Sequence, residues 1–125
     1  MGTITKRIDR EQSLTTFVGS GELSSHEFLE SINDFYRGEV TLNVLWDLTQ
    51  ADLKKIDSHS VREFTVVPTD AEESRRGGKT AVVVSSTYGF GLSRMYQLQK
   101  EVGEHSFETM VFRTLDEALK WITSG

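Results

Sequence analysis

The sequence predicts an α/β protein with a mainly parallel sheet of about five strands flanked by about four helices, in the order β-β-α-β-α-β-α-β-α. Three observations carry this. Strand-like and helix-like segments alternate along the 125 residues, the arrangement from which right-handed crossovers build a parallel sheet. Two strand-like segments, TLNVLWDL (41–48) and TAVVVS (80–85), are nearly continuous apolar runs, as strands covered on both faces are. Three helix starts read as capping boxes, in which a hydroxyl accepts a backbone N–H and a glutamate three residues later reaches back.

In chain order, Ile4, Lys6 and Ile8 alternate with polar neighbours, and SLTTFVG (13–19) follows a polar turn, so the chain opens as a hairpin. The box Ser24-Ser25-His26-Glu27 starts the first helix, whose apolar face is Phe28, Leu29, Ile32, Phe35 and Tyr36. Gly38 then stands where a left-handed C-cap takes glycine. After the 41–48 strand, Ser60-Val61-Arg62-Glu63 starts a second helix with Val61 and Phe64 on its apolar side. Pro68 disfavours helical geometry at Val67, which predicts a break there. Residues 69–72 cap a short continuation ending at Gly77. The 80–85 strand leads into a third helix ending near Gly103. A last strand, ETMVFR (108–113), precedes the box Thr114-Leu115-Asp116-Glu117 and a final helix presenting Leu115, Ala118, Leu119 and Ile122. No linker, repeat or low-complexity stretch divides residues 1–125, so a single domain is expected.

Composition narrows the function. The net charge of -5 argues against broad contact with nucleic acid phosphates. The absence of cysteine removes disulfides, thiol catalysis and thiolate metal sites. No apolar run approaches the roughly 20 residues that span a bilayer, and MGTITKRIDREQ lacks the apolar centre of a signal peptide. The expectation is a cytoplasmic protein.

Two glycine-rich stretches resemble phosphate loops and fail as such. GGKT (77–80) ends like a Walker loop, but the first glycine of that motif falls on Glu73 and a strand follows instead of a helix. Gly89-Phe90-Gly91 lies at a strand-to-helix junction, yet Arg94 occupies the place of the third glycine of a dinucleotide fingerprint. Tyr88, Phe90, Leu92, Met95 and Tyr96 gather at this helix entrance instead. The histidines, His26, His59 and His105, show no metal-ligand spacing, so no metal and no cofactor is expected. Arg75, Arg76 and Lys79 form a basic cluster of the kind that complements a helix end. No nucleophile, base and oxyanion donors assemble, which points away from an enzyme.

The element order, GEL (21–23) before the first helix, and WDLTQADLKKIDSHSV (46–61) together resemble STAS domains, the sulfate transporter and anti-sigma factor antagonist domains. GKTAVVVSSTYGFGLSRMYQ (78–97) and VFRTLDEALKWI (111–122) resemble the SpoIIAA-like, or STAS/SEC14-like, branch. Its Phe-x-x-x-x-x-Ala-x-x-Trp ending is matched by Phe112, Ala118 and Trp121. That branch is associated with lipophilic ligands and membrane surfaces, by similarity to lipid-carrying CRAL-TRIO proteins. The resemblance therefore implies a non-enzymatic domain that holds a lipophilic molecule, or meets a membrane peripherally, through an apolar cleft between the second and third helices. Phe64, Val67, Tyr88, Phe90, Leu92 and Met95 are its expected lining. The alternative it implies is a phosphorylation-regulated protein-interaction module. There Ser58, within Asp57-Ser58-His59-Ser60, takes the place of the phosphorylatable serine of the antagonists, although the glycine of their motif is absent. The edge strand of the hairpin leaves both monomer and homodimer open.

Overall fold

A computed structural model describes residues 2–66, 72–102 and 107–124. Five strands, β1 (Thr3–Asp9), β2 (Leu14–Glu22), β3 (Asn43–Asp52), β4 (Lys79–Val83) and β5 (Glu108–Phe112), form one sheet in sequence order. β1 and β2 are the antiparallel hairpin, and β2 through β5 run parallel. The helices are α1 (Ser25–Arg37), α2 (Ser58–Phe64), α3 (Thr87–Val102) and α4 (Leu115–Thr123). Because each crossover advances to the next strand in the same direction, right-handed connections put α1, α2 and α3 on one face. The packing agrees: Phe28, Val61, Phe64 and Leu92 share one core cluster with Leu48, Val82 and Val84. α4 makes no crossover and covers the other face, where Ala118 and Ile122 pack on Leu14, Leu45, Ala81 and Val83.

The register places whole rungs on the three-helix face. One is Thr15, Val44, Thr80 and Thr109, at the edge where the parallel strands begin. The next is Phe17, Trp46, Val82 and Val111. Side chains alternate across a strand, so both rungs face the same helices.

Local signals explain most boundaries. Ser24 caps α1, and the Glu27 carboxylate accepts from its backbone N–H at 3.2 Å and from its hydroxyl. Thr114 caps α4, its hydroxyl accepting from the Glu117 N–H at 3.3 Å. Four details differ from the sequence expectation. α2 begins at Ser58, because Asp57 is its cap: the Asp57 carboxylate accepts from both the N–H and the hydroxyl of Ser60. β3 runs on to Asp52, because its pairing with β2 resumes after an irregularity between Val18 and Ser20. Gly38 ends α1 at φ -102°, outside the left-handed region. Gly89-Phe90-Gly91 lies inside the first turn of α3, which Ser86 caps by accepting from the Gly89 N–H at 2.9 Å. α2 ends at Phe64, and the break expected at Val67 lies outside the described residues, as does Gly103.

The GGKT glycines are a turn. Gly77 has φ +83°, and a Cβ on Gly78 would come within 2.0 Å of the Leu42 carbonyl oxygen. The chain passes too close to Leu42, just before β3, for any side chain there. Lys79 then donates through Nζ to the Trp121 and Ser124 carbonyls at the end of α4, a cation at a helix C-terminus.

Candidate functional site: a cavity between the sheet and three helices

The three-helix face does not close completely. Large aromatic side chains fix its spacing: Phe17 stacks on Trp46 at 4.2 Å between ring centroids, Phe28 lies 5.7 Å from Trp46, and Phe64 lies 5.3 Å from Phe28. Rigid rings at these separations leave a gap that aliphatic neighbours do not fill. The result is a cavity of about 100 Å³ bounded by the sheet, α1, α2 and α3. Protein interiors are otherwise packed as densely as organic crystals, so a void of this size is a feature to explain. Engineered apolar cavities of about 150 Å³ stay dry and bind benzene.

The cavity is not uniform along the strands. Toward the ends of the parallel strands its walls are apolar, with Leu48, Leu53, Val61, Phe64 and Leu92. Toward their beginnings it meets Thr80, Arg75, Tyr36, Tyr96 and Lys100. Arg75 is 2% exposed and Lys100 5% exposed. The Lys100 ammonium pairs with the buried Glu72 carboxylate at 3.0 Å. The Arg75 guanidinium donates to the carbonyls of Leu42 at 3.2 Å and Lys79 at 2.9 Å, and stands 3.9 Å from the centroid of Phe107. Burial, chiefly, raises the phenol pKa values of Tyr36 and Tyr96 above the ordinary tyrosine value, so both stay neutral at physiological pH.

Of the residues expected to line a cleft, Phe64 and Leu92 border this cavity. Phe90 and Met95 pack on the same core cluster without bordering it. The Arg113 guanidinium covers the Phe90 ring at 4.2 Å. Tyr88 is half exposed and donates its hydroxyl to the Ile56 carbonyl at 2.5 Å. Val67 lies outside the described residues. Ser58 is exposed at the first position of α2, beside the cap Asp57. The cavity thus sits beneath α1, α2 and α3 together, deeper than a seam between α2 and α3.

Sequence reasoning missed the polar end. Arg75, Arg76 and Lys79 are close in sequence, but Arg76 pairs with Glu73 on the surface while Arg75 is buried. One signal was available: Leu92, Tyr96 and Lys100 recur every four residues, which puts a lysine on the apolar stripe of α3.

No family model matches the chain, and no curated protein matches it significantly. Among solved structures, it is similar to a DUF3478-family protein from Shewanella loihica PV-4, described as uncharacterized and as having a SpoIIAA-like fold. The two are 15% identical, the match covers 98% of this chain and 95% of that one, and the TM-score is 0.58. The fold is SpoIIAA-like. The likeness reaches the fold alone at this identity. Among the described residues no helix is long and apolar enough to cross a membrane, and no group of three His, Cys, Asp or Glu side chains is placed to hold a metal ion.

Proposed function

We propose that this protein is a non-enzymatic binding domain that holds a lipophilic small molecule in the cavity between its sheet and α1, α2 and α3. The observation that carries this reading is an aromatic-lined void of about 100 Å³ beneath α1, α2 and α3. Ligand pockets are typically apolar with a few polar groups fixing orientation, and roughly 300–1,000 Å³ in volume. The composition fits that description and the volume falls below it, so a ligand larger than a benzene ring enters by displacing a wall. α2 is the wall best suited to move, being seven residues long, since short helices owe their stability to packing rather than to themselves. An open form of this kind would also present apolar side chains to a membrane surface during ligand exchange.

Native mass spectrometry of gently purified protein tests the reading. A bound lipophile that denaturation releases is the expected result. Apoprotein alone, together with no uptake of ligand from lipid vesicles, would remove the basis for it.

A second reading rests on Ser58, which is exposed at the start of the helix that carries Val61 and Phe64 to the cavity. Phosphorylation there adds about -1.5 to -2 charges beside Asp57, and would regulate docking of a protein partner or access to the cavity. Peptide mass spectrometry on protein from its native host is expected to find phosphate on Ser58; its absence under every growth condition counts against this reading.

A further inference from the structure

Among the described residues, the polar end of the cavity holds more positive than negative charge, and buried polar atoms without a hydrogen-bond partner. Among the described residues Arg75 and Lys100 bring two buried cations, against one buried carboxylate from Glu72. Among the described residues no carboxylate lies within ion-pair distance of Arg75, whose guanidinium is held by neutral carbonyls and the Phe107 ring. A buried net charge is costly unless something matches it. Three buried side-chain oxygens lack a hydrogen-bond partner among the described residues: the hydroxyl of Thr80, which is 2% exposed and part of the cavity wall, that of its rung neighbour Thr109, and Oε1 of Glu72, whose other oxygen takes the Lys100 ammonium. The neutral phenols of Tyr36 and Tyr96 stand at the same end. Along the sheet the wall therefore passes from Thr80 and Val44 beside the Arg75 cation, through Phe17, Trp46 and Val82, to the aliphatic region around Leu48 and Leu92.

We propose that the cavity takes a single-chain amphiphilic monocarboxylate, its acid head at Arg75 and Thr80 and its alkyl chain running along β3 and β4 toward Phe64 and Leu92. This rests on the lipophilic-ligand reading above and adds the head group and the direction of the chain. The one surplus positive charge among the described residues matches one carboxylate. A guanidinium and hydroxyls are the donors that a carboxylate accepts from. A neutral alcohol of the same length would leave the Arg75 charge unmatched.

The test uses the Trp121→Phe protein, in which Trp46 in the cavity wall is the remaining tryptophan. Its fluorescence is titrated with decanoate, decanol and decyltrimethylammonium below their aggregation concentrations. Decanoate is expected to bind about tenfold or more tightly than decanol, the scale of one hydrogen bond to a charged group, and the ammonium most weakly. Arg75→Gln should abolish the preference for decanoate while decanol binding persists. If Arg75→Gln does not fold, Tyr36→Phe/Tyr96→Phe carries the comparison, with a severalfold loss of the preference expected. Decanol binding as tightly as decanoate, or a preference unchanged in the folded variant, overturns the head-group assignment and leaves the lipophilic reading standing. No binding of any of the three probes overturns both.

Discussion

Arg75, Lys100 and Glu72 decide how the polar end of the cavity behaves. Lys100 and Glu72 form a buried ion pair, and removing one partner of such a pair strands the other charge. Glu72→Leu is therefore expected to lower the unfolding free energy by about 3–5 kcal/mol, whereas Glu72→Leu/Lys100→Met should stand close to the parent or above it. Urea unfolding of the three proteins measures this, and an additive double variant would contradict it. The tyrosines give a second prediction. Their phenol pKa values are raised in the folded protein, mainly by burial, so above the unfolded value of about 10 the folded state holds protons that the unfolded chain has released. Stability from this source is complete below about pH 10 and is lost as the pH rises further. Tyr36→Phe/Tyr96→Phe should lose less stability than the parent between about pH 9 and pH 11, as read from thermal midpoints. The four-residue spacing of Leu92, Tyr96 and Lys100 marks the lysine as inward-facing, but its partner was not legible in the sequence. Glu72 and Lys100 are 28 residues apart, and nothing local in either segment announces that the chain brings them together.

At the scale of elements the sequence was far more informative, because the signals there are local. The caps Ser24 and Thr114 act at the positions where their boxes place them. The apolar runs of β3 and β4 became interior strands of the sheet. Where reading and structure part, a competing local contact decides. Asp57 outcompetes Ser60 as the α2 cap by accepting from both polar hydrogens of Ser60. Gly89 admits the first turn of α3 close to Leu53, where a Cβ would approach Leu53 Cδ1 to 3.1 Å. The aromatics of that turn are consequently anchored, Tyr88 on the Ile56 carbonyl and Phe90 under Arg113. The Asp57 carboxylate is held below its usual pKa, chiefly by the Ser60 N–H and then by the Ser60 hydroxyl. Its capping contribution is thus present above about pH 4 and fades as the pH falls through its folded pKa. Asp57→Ala should fray α2, with faster amide exchange at Val61 and Phe64 and little change in α4. Equal protection in both proteins would show that packing alone holds this helix.

Across the whole molecule, strand order in sequence order puts α1, α2 and α3 on one face of the sheet and α4 on the other. That asymmetry makes the three-helix side thick enough to hold a cavity. The architecture was readable from alternation and crossover handedness. The cavity was not, since its walls come from β2, β3, β4, α1, α2 and α3 and no single segment encodes a void. Filling it separates stability from function. Val61→Ile and Val82→Ile each add a methylene beside the void, and each is expected to stabilise the fold by up to about 0.8 kcal/mol while weakening lipophile binding. Stabilisation without weaker binding would locate the ligand elsewhere. The exposed apolar side chains on the opposite face, Val18, Met110, Leu115 and Leu119, offer such an elsewhere. Methyl-detected NMR during a decanol titration distinguishes the two faces directly. The account predicts saturable shifts at Val44, Leu48, Val61, Val82 and Leu92, with Val18 and Leu119 unmoved. Shifts confined to Val18 and Leu119, or no saturable shift at any methyl, would contradict it.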